Sequence, residues 1–309
     1  KVKGDGKWDF VTFDEQTRRL YISHGTSMQV MDVEKETIIG EVQNTPGIHG
    51  IAVVNTLNKG FTSNGKDSTV TVFDLKTFAT LKTIKIPGSS PDHIIYDTFS
   101  KNIFVFNNKS SNVSIINPQT NEILKTVSLG GKPELSVSTK KGKIFVNLED
   151  AHEIVELDAK TLEVTKRWPL APGEEPTGLT LDAKNNRLFS TCANKLLIVL
   201  DATTGKVITS LPIGEKVDGV AYDEIEKKIY TSNGEGTVTI IKQQTKDKYV
   251  VEKNVKTAKG AKTLAFDKKK HRLYIPCSDF TTVAPTPENP SPKPSISTET
   301  FGILIIGKK

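Results

Sequence analysis

The sequence predicts an all-β fold, a seven-bladed β-propeller of four-stranded antiparallel blades. Two observations predict it most directly. A phrase of alternating apolar residues recurs seven times, at steps of 40 to 44 residues along the 309-residue chain. An aromatic residue follows each copy six or seven residues later, although aromatics make up only 7% of the chain. Four strand-like phrases fit into each repeat, and this period is typical of propeller blades.

The first phrase of each repeat is predicted to be the inner strand, which lines the central channel. Its seven copies end at Asp14, Val54, Asp97, Thr139, Asp182, Asp223 and Asp267. The second phrase is predicted to be the next strand, and it carries the aromatic residues Tyr21, Phe61, Phe104, Phe145, Phe189, Tyr230 and Tyr274. Val, Ile, Thr and aromatic residues dominate both phrases, which favours β-strands.

The third phrase ends on an acid or an amide in five repeats, at Asp32, Asp74, Asn117, Asp158 and Asp201. Such side chains bond to nearby backbone N–H groups, so a hairpin turn is predicted after each of them. A fourth, more polar phrase follows, for example TLKTIKI or VITSLPI. We expect it to form the outer strand at the rim.

The repeats predict one domain, 1–309, with blades at approximately 8–48, 49–90, 91–132, 133–175, 176–216, 217–260 and 261–309. The seventh repeat supplies only three strands. Segment 1–4 is therefore predicted to complete blade 7 and to close the ring by pairing with Ile303–Ile306. A proline-rich insertion at 279–299 interrupts blade 7, and it is either a surface decoration or an arm that lies across the channel mouth.

The composition indicates a soluble globular protein. The chain is 36% hydrophobic and 25% charged, with a net charge of +6. No apolar run approaches the ~18 residues of a membrane helix, so we expect no membrane span, and we expect a monomer. Cys192 and Cys277 hold equivalent places in blades 5 and 7, which predicts two free thiols. Because the sequence begins with Lys, we expect a processed N-terminus and an export signal upstream.

The repeat unit resembles the YVTN-repeat β-propellers of the YncE-like group. The resemblance lies in YISHG, FTSNG, FVFNN and YTSNG at the end of the second strand, and in TVFDLKT or IVLDATTGKV after it. It implies a bacterial protein exported to the periplasm or secreted. Some relatives have been linked to single-stranded DNA, and other seven-bladed propellers are lactonases or carry redox cofactors. The resemblance therefore implies a scaffold and a compartment more than a substrate.

One mouth of the channel is the predicted binding site, because it collects the loops before the inner strands and after the second strands. The second residue of the inner strand is Asp9, His49, Asp92, Glu134, Thr177, Asp218 or Lys262. The residue three past the aromatic is His24, Asn64, Asn107, Leu148, Cys192, Asn233 or Cys277. Trp8, Asn147, Glu149, Glu175, Asn194 and Glu235 lie in the same loops. The alternative is that these residues are turn formers and caps.

A ring of carboxylates on a basic protein favours a cationic, metal or polyhydroxylated ligand, since like charges need a cation or hydrogen-bond donors nearby. His24 and His49 are the candidate ligands of a Zn-type ion, and a carboxylate–amide ring suits Ca²⁺. No catalytic motif is present, and no catalytic residue is assigned. The leading hypothesis is a non-enzymatic protein that binds a small molecule, a cation or a protein partner. The alternatives are a lactonase-type hydrolase in the same funnel and a nucleic-acid binder that uses the basic exterior.

Overall fold

A ring of seven antiparallel sheets makes up the computed structural model, which describes residues 2, 7–281, 295–297 and 299–307. Six sheets have four strands, and these lie side by side in the order in which they occur along the chain. The seventh has three strands within the described residues. Inner strands of successive blades contact one another, and those of blades 7 and 1 also touch. The predicted seven-bladed β-propeller is confirmed.

The strands of the first four blades are regular and short. Blade 1 contains Trp8–Asp14, Arg19–His24, Ser27–Asp32 and Thr37–Val42. Blade 2 contains Ile48–Val54, Lys59–Asn64, Thr69–Asp74 and Thr80–Lys85. Blade 3 contains Pro91–Asp97, Asn102–Asn107, Asn112–Asn117 and Glu122–Ser128. Blade 4 contains Pro133–Ser138, Lys143–Leu148, Glu153–Asp158 and Glu163–Pro169.

The remaining blades follow the same plan. Blade 5 contains Pro176–Asp182, Arg187–Cys192, Leu196–Asp201 and Val207–Pro212. Blade 6 contains Val217–Asp223, Lys228–Asn233, Thr237–Thr245 and Lys248–Lys256. Blade 7 contains Ala265–Asp267, Arg272–Cys277 and Gly302–Ile306. One 3-10 turn covers Asn55–Leu57. Throughout the described ranges, no helix has the length and apolar character needed to cross a membrane.

The predicted turns after the third strands are built by their terminal side chains. Asp74 Oδ1 accepts the N–H groups of Lys76 and Thr77, both at 2.8 Å. The same pair of bonds recurs at Asp32, Asn117, Asp158 and Asp201. These N–H bonds lower the pKa of the Asp74 carboxyl. The sequence signal at these positions is therefore architectural.

The hydrophobic core is divided among the blade interfaces. Seven clusters of buried residues occur, and each joins one blade to the next. The aromatic of every second strand belongs to the cluster shared with the following blade: Phe61 packs among blade 3 residues, and Tyr274 packs among blade 1 residues. Six of the seven aromatics are at most 1% exposed, and Tyr230 is partly buried. The recurrent aromatic thus fills the space between two twisted sheets.

Polar bonds at the far ends of the inner strands add a second set of links between blades. Asp97 accepts a bond from Ser138 of the next blade at 2.5 Å, and Asp182 accepts one from Gln243 at 2.9 Å. His271 Nδ1 of blade 7 lies 2.6 Å from Asp223. The acid that ends the inner-strand phrase therefore links each of these blades to its successor.

Blade 7 is joined to blade 1 by an ion pair. Arg18 holds both carboxylate oxygens of Asp267, with Nη1 donating at 2.9 Å to Oδ1 and Nη2 donating to Oδ2. Nearby, the N–H of Val2 donates to Phe301 O at 2.9 Å, and the Val2 side chain is buried. Lys1, Lys3 and Gly4 lie outside the described residues. The pairing of segment 1–4 with Ile303–Ile306 stays a prediction.

The insertion of blade 7 begins and ends as a short ladder. Phe280–Thr281 pairs with Ser295–Ile296 in antiparallel fashion, and Ser297 N–H donates to Asp279 O at 2.9 Å. Within the predicted 279–299 insertion, residues 282–294 and 298 lie outside the described residues.

The Arg18–Asp267 pair gives a stability test. In Arg18→Leu the fully buried Asp267 carboxylate loses its cation, so we expect the free energy of unfolding to fall by about 3 kcal/mol in urea denaturation. The exposed Lys35–Asp32 pair provides the control, since Lys35→Met should cost no more than about 0.5 kcal/mol.

The same pair also predicts a pH dependence. Burial acts to raise the pKa of Asp267, but the bonds from Arg18 and from backbone N–H groups lower it overall. A lowered carboxyl pKa stabilises the fold above the unfolded-state value of about 4 and stops doing so as the pH falls through the folded-state value. The wild type and Arg18→Leu should therefore converge in stability at low pH. If the free energies of unfolding of the wild type and Arg18→Leu still differed by on the order of the full effect at about pH 2–3, the role assigned to the Arg18–Asp267 pair would be contradicted.

Candidate functional site

The start of each inner strand is bulged in the six complete blades. Pairing with the second strand shifts register between Trp8 and Val11, between Ile48 and Ile51, and at the equivalent places in blades 3 to 6. A bulge bends the strand and re-aims its side chains. It falls at the second residue of the inner strand, which is the position that the sequence predicts at the channel mouth.

Side chains of the second strands hold these bulges and tie them to the next blade. Ser63 Oγ accepts from Gly50 N–H at 2.8 Å and donates to Asp92 O. Asn147 Nδ2 donates to Thr177 O and Gly178 O of the next blade, at 3.0 and 2.9 Å. Comparable bonds are made by Ser23, Thr191 and Ser232 of other second strands. Thr263, which precedes the inner strand of blade 7, donates to Asp9 O of blade 1. Hydrogen bonds between neighbouring blades therefore fix the backbone around the channel mouth, and with it the positions from which the side chains project.

Blades 1 to 3 bring two carboxylates to one imidazole. His49 Nδ1 lies 2.5 Å from Asp9 Oδ2 and 3.5 Å from Asp92 Oδ1. Burial acts to lower the pKa of His49, but the Asp9 hydrogen bond and the two negative charges raise it overall. Burial, and then the charge of Asp9, raises the pKa of Asp92. The charged form of His49 is therefore favoured at this point, and the charged form of Asp92 is disfavoured.

Blades 4, 6 and 7 balance their charges with lysines. Lys132 pairs with Glu149 and lies 3.6 Å from Glu134. Lys262 pairs with Asp218. Burial and the charge of Asp92 raise the pKa of Glu134, while burial raises that of Asp218 despite Lys262. The channel mouth thus carries both carboxylates and lysines, which form ion pairs with one another. Its net negative charge is smaller than the number of carboxylates alone indicates.

Two other groups complete the ring. Thr177 of blade 5 is 9% exposed, and its hydroxyl donates to Val217 O at 2.7 Å. Asn108 Nδ2 donates to Glu134 Oε1 at 2.9 Å and lies 3.4 Å from Asp92 Oδ2. Asn108 therefore bridges the carboxylates of blades 3 and 4.

A cavity of about 860 Å³ opens beside this ring between blades 7, 1 and 2. It is lined by Lys7, Trp8, Asp9, Gly25, Thr26, Gly47, Ile48, His49, Lys66 and Lys262. Trp8 stacks on the buried Phe301 with ring centroids 5.2 Å apart, and Phe280 of the insertion lies 6.4 Å away. The cavity combines one aromatic surface, acidic and imidazole groups, and several ammonium groups.

Comparison with known proteins gives the family. The model of the YNCE-like beta-propeller family matches residues 46–271. The chain belongs to this family. No curated protein sequence matches it. A chain of Kuenenia stuttgartiensis hydrazine synthase is similar in structure to this YNCE-like propeller, with a TM-score of 0.79 and 16% identity over 99% of this chain and 97% of that one.

WD40-type structures are also similar to this YNCE-like propeller. U3-55K has a TM-score of 0.77 at 8% identity and covers 89% of this chain and 90% of its own. A chain of the mitotic checkpoint complex has a TM-score of 0.76 at 9% identity and covers 86% and 83%. At such identities these similarities show the fold alone.

The asparagines after the second-strand aromatic do not reach the channel mouth of this YNCE-like propeller. Asn64 is fully buried, donates to Thr69 and Thr71 at 3.0 and 2.9 Å, and accepts from Thr62 at 2.9 Å. Asn233 and Asn107 are buried in comparable networks. Their expected place at the mouth is corrected, because these amides join the second strand to the third inside the blade.

Two further candidates lie in the interior. His24 is 2% exposed and stacks on Phe301 with centroids 4.1 Å apart. The group of ligand-capable atoms that includes His49 is formed with Asp9 and Asp92 and does not include His24. Cys192 is fully buried, and burial raises its thiol pKa to about 12. Both cysteines are free thiols, as the sequence predicts. A thiol held in its neutral form is a poor nucleophile.

The other candidates divide between the mouth and outer loops. Asp9, His49, Asp92, Glu134 and Asp218 are in the ring, with Glu149 attached through Lys132 and Trp8 in the cavity wall. Asn147 supports the backbone, as described above. Glu175, Asn194 and Glu235 take part in bonds within and between loops: Glu175 N–H donates to His152 Nδ1, Asn194 Nδ2 donates to Pro172 O, and the Thr237 hydroxyl donates to Glu235 Oε1. Sequence reasoning missed Asn108, Lys132 and Lys66, which lie in loops. The place of Lys262 could be predicted from the sequence, because it is the second residue of the inner-strand phrase of blade 7.

The buried asparagines give a further prediction. Asn64→Ala leaves the hydroxyls of Thr62, Thr69 and Thr71 without their shared partner, so the free energy of unfolding should fall by about 1–3 kcal/mol. Urea denaturation measures this loss. Asn254→Ala, at an exposed position of an outer strand, is the matched control and should change stability by less than about 0.5 kcal/mol. Equal stability of the two variants would contradict the structural role.

Proposed function

We propose that this protein binds a polyhydroxylated small molecule in the cavity at the channel mouth. The cavity itself carries the proposal, because about 860 Å³ is the size of a small-molecule site and its lining combines apolar and polar groups. Trp8 offers an apolar face. Asp9 offers acceptors, while Lys66 and Lys262 offer donors, so both kinds of hydroxyl bond are available.

The mixed charge of the cavity distinguishes among ligand classes. Three of its lining residues, Lys7, Lys66 and Lys262, are cationic, which disfavours a simple organic cation. Asp9 and the neighbouring Asp92 disfavour a nucleic-acid phosphate in this cavity. Binding of nucleic acid is therefore a candidate only for the lysine-rich exterior. A neutral or weakly acidic polyol satisfies both sets of charges.

The experiment uses Trp8 as its reporter. The chain has two tryptophans, so Trp168→Phe leaves the emission of Trp8 alone. Sugars, sugar acids and polyols are screened by thermal shift, and compounds that raise Tm are titrated against this fluorescence. We expect saturable binding that weakens at least about tenfold in Asp9→Asn, which removes one charged hydrogen bond.

The control for this titration lies at a different cavity. Lys246→Ala alters a depression lined by Asp182 and Tyr222, and it should bind as the wild type does. Binding that is unchanged in Asp9→Asn, or a screen without any compound that raises Tm, contradicts the proposal.

A lactonase-type hydrolase is the second candidate. Asp92 and Glu134 are enclosed carboxyls whose pKa values are raised, and Asn108 bridges them, an arrangement that suits general acid–base catalysis. A lactone panel assayed with and without chelator tests it. We expect any turnover to fall at least about a hundredfold in Asp92→Asn, and activity that survives this substitution excludes the assignment.

We also propose that the protein is exported to the periplasm or secreted, on the support of the family resemblance. Fractionation of cells that produce the protein from its own gene, followed by immunoblotting, tests this. Recovery only from the cytosolic fraction contradicts it.

A further inference from the structure

We propose that Asp9, His49 and Asp92 form a binding site for one divalent transition-metal ion at the channel mouth. The inference deepens the proposed function and rests on the same cavity, because the ion would be a feature by which a hydroxylated ligand is held there. The ligand-capable atoms of the three residues all lie within 4.8 Å of one another. The residues come from three consecutive blades and hold the same position in each inner strand.

One buried oxygen of Asp92 lacks a hydrogen-bond donor, and its ion-pair contact with His49 Nδ1 is 3.5 Å long. Asp92 Oδ1 has no solvent-exposed surface and accepts no hydrogen bond, and the Asp92 side chain is only 15% exposed. The other oxygen, Oδ2, has one long contact at 3.4 Å from Asn108 Nδ2. A buried carboxylate oxygen without a donor is costly. A metal ion between Asp92 and Asp9 would remove both that cost and the repulsion between the two carboxylates.

This sector of the ring also differs from the others in its charge balance. Asp218 and Glu149 each have a lysine partner, Lys262 and Lys132. Among the ion pairs of the described residues, Asp9 and Asp92 pair only with His49. One imidazole carries at most one positive charge. The charge of Lys262 also reaches Asp9 and Asp92, but its ammonium group is paired with Asp218, so positive charge at this point falls short of the two carboxylates. A divalent ion supplies the difference.

The position of the imidazole is fixed by glycine. A Cβ on Gly65 would lie 2.7 Å from His49 Nε2, so only a residue without a side chain leaves room for the ring there. The Nε2 edge of the ring therefore lies close to Gly65, in the turn that follows the second strand of blade 2. Nδ1 is therefore the nitrogen that faces Asp9 and Asp92, and it is the ligand atom that the arrangement offers.

The donor set indicates which metals fit. One imidazole nitrogen and two carboxylates suit Zn²⁺, Mn²⁺ or Co²⁺, whereas Ca²⁺ prefers six to eight oxygens. Three protein ligands leave at least one coordination position for water or a bound molecule. Asp9 and His49 also line the cavity, so that position would be open to a ligand that enters the cavity.

Metal binding can be tested with the metal alone. The full chain is treated with chelator, desalted, and titrated calorimetrically with Zn²⁺, Mn²⁺ and Ca²⁺ in separate arms. We expect one equivalent of Zn²⁺ or Mn²⁺ to bind more tightly than Ca²⁺, with a rise in Tm. Asp92→Asn and His49→Gln should each weaken binding at least about tenfold.

The control is the other histidine–aspartate pair. His271 Nδ1 lies 2.6 Å from Asp223, and His271→Gln should bind metal as the wild type does. Asp92→Asn preserves the shape of the side chain and removes the repulsion between Asp92 and Asp9, so this variant is expected to fold. If His49→Gln does not fold, the result for Asp92→Asn decides the test. Binding that is absent in the wild type, or unchanged in Asp92→Asn, overturns the metal site. Polyol binding by chelated protein would then leave the proposed function standing.

Discussion

The packing of each second-strand aromatic against the following blade is the interaction on which the rest of this propeller depends. A four-stranded sheet cannot bury both faces by itself, so each blade is stable only between two neighbours. Phe61, Phe104 and their counterparts fill these interfaces, and the cycle ends where Tyr274 of blade 7 packs on blade 1. Closing the cycle brings seven inner strands side by side. The channel mouth is therefore a consequence of how the core is divided.

The phrase TSNG shows how one repeat serves both architecture and the site. Ser63 braces the bulge of its own blade and the backbone of the next. Asn64 joins the second strand to the third. Gly65 leaves room for the imidazole of His49. None of the three needs to touch a ligand, yet together they place His49 between Asp9 and Asp92.

The fold could be predicted from the sequence because its period is visible in residue types. The inner-strand residues around the channel mouth could be located from the sequence as well, since they share the second position of the inner-strand phrase. The direction of Asn64 could not be read from register alone. A clue was present in Thr69 and Thr71, which lie two apart on the adjoining strand and offer hydroxyls to one amide. Asn108 ends FVFNN, where FTSNG and YTSNG have glycine, and Lys132 lies in the loop before the inner strand of blade 4. At neither place does the pattern of residue types indicate which neighbour the side chain will reach.

Seven equivalent positions around a narrow channel force side chains of similar charge together, and the blades resolve this in different ways. Thr177 is neutral and bonds to the backbone of blade 6. Asp218 pairs with Lys262, and Glu134 lies 3.6 Å from Lys132, which also pairs with Glu149. At blades 1 to 3 the only ionic partner of two carboxylates is His49, among the pairs that the described residues make. The ring is satisfied by its own lysines elsewhere, so this sector is where an external cation or a hydrogen-bonding ligand gains the most.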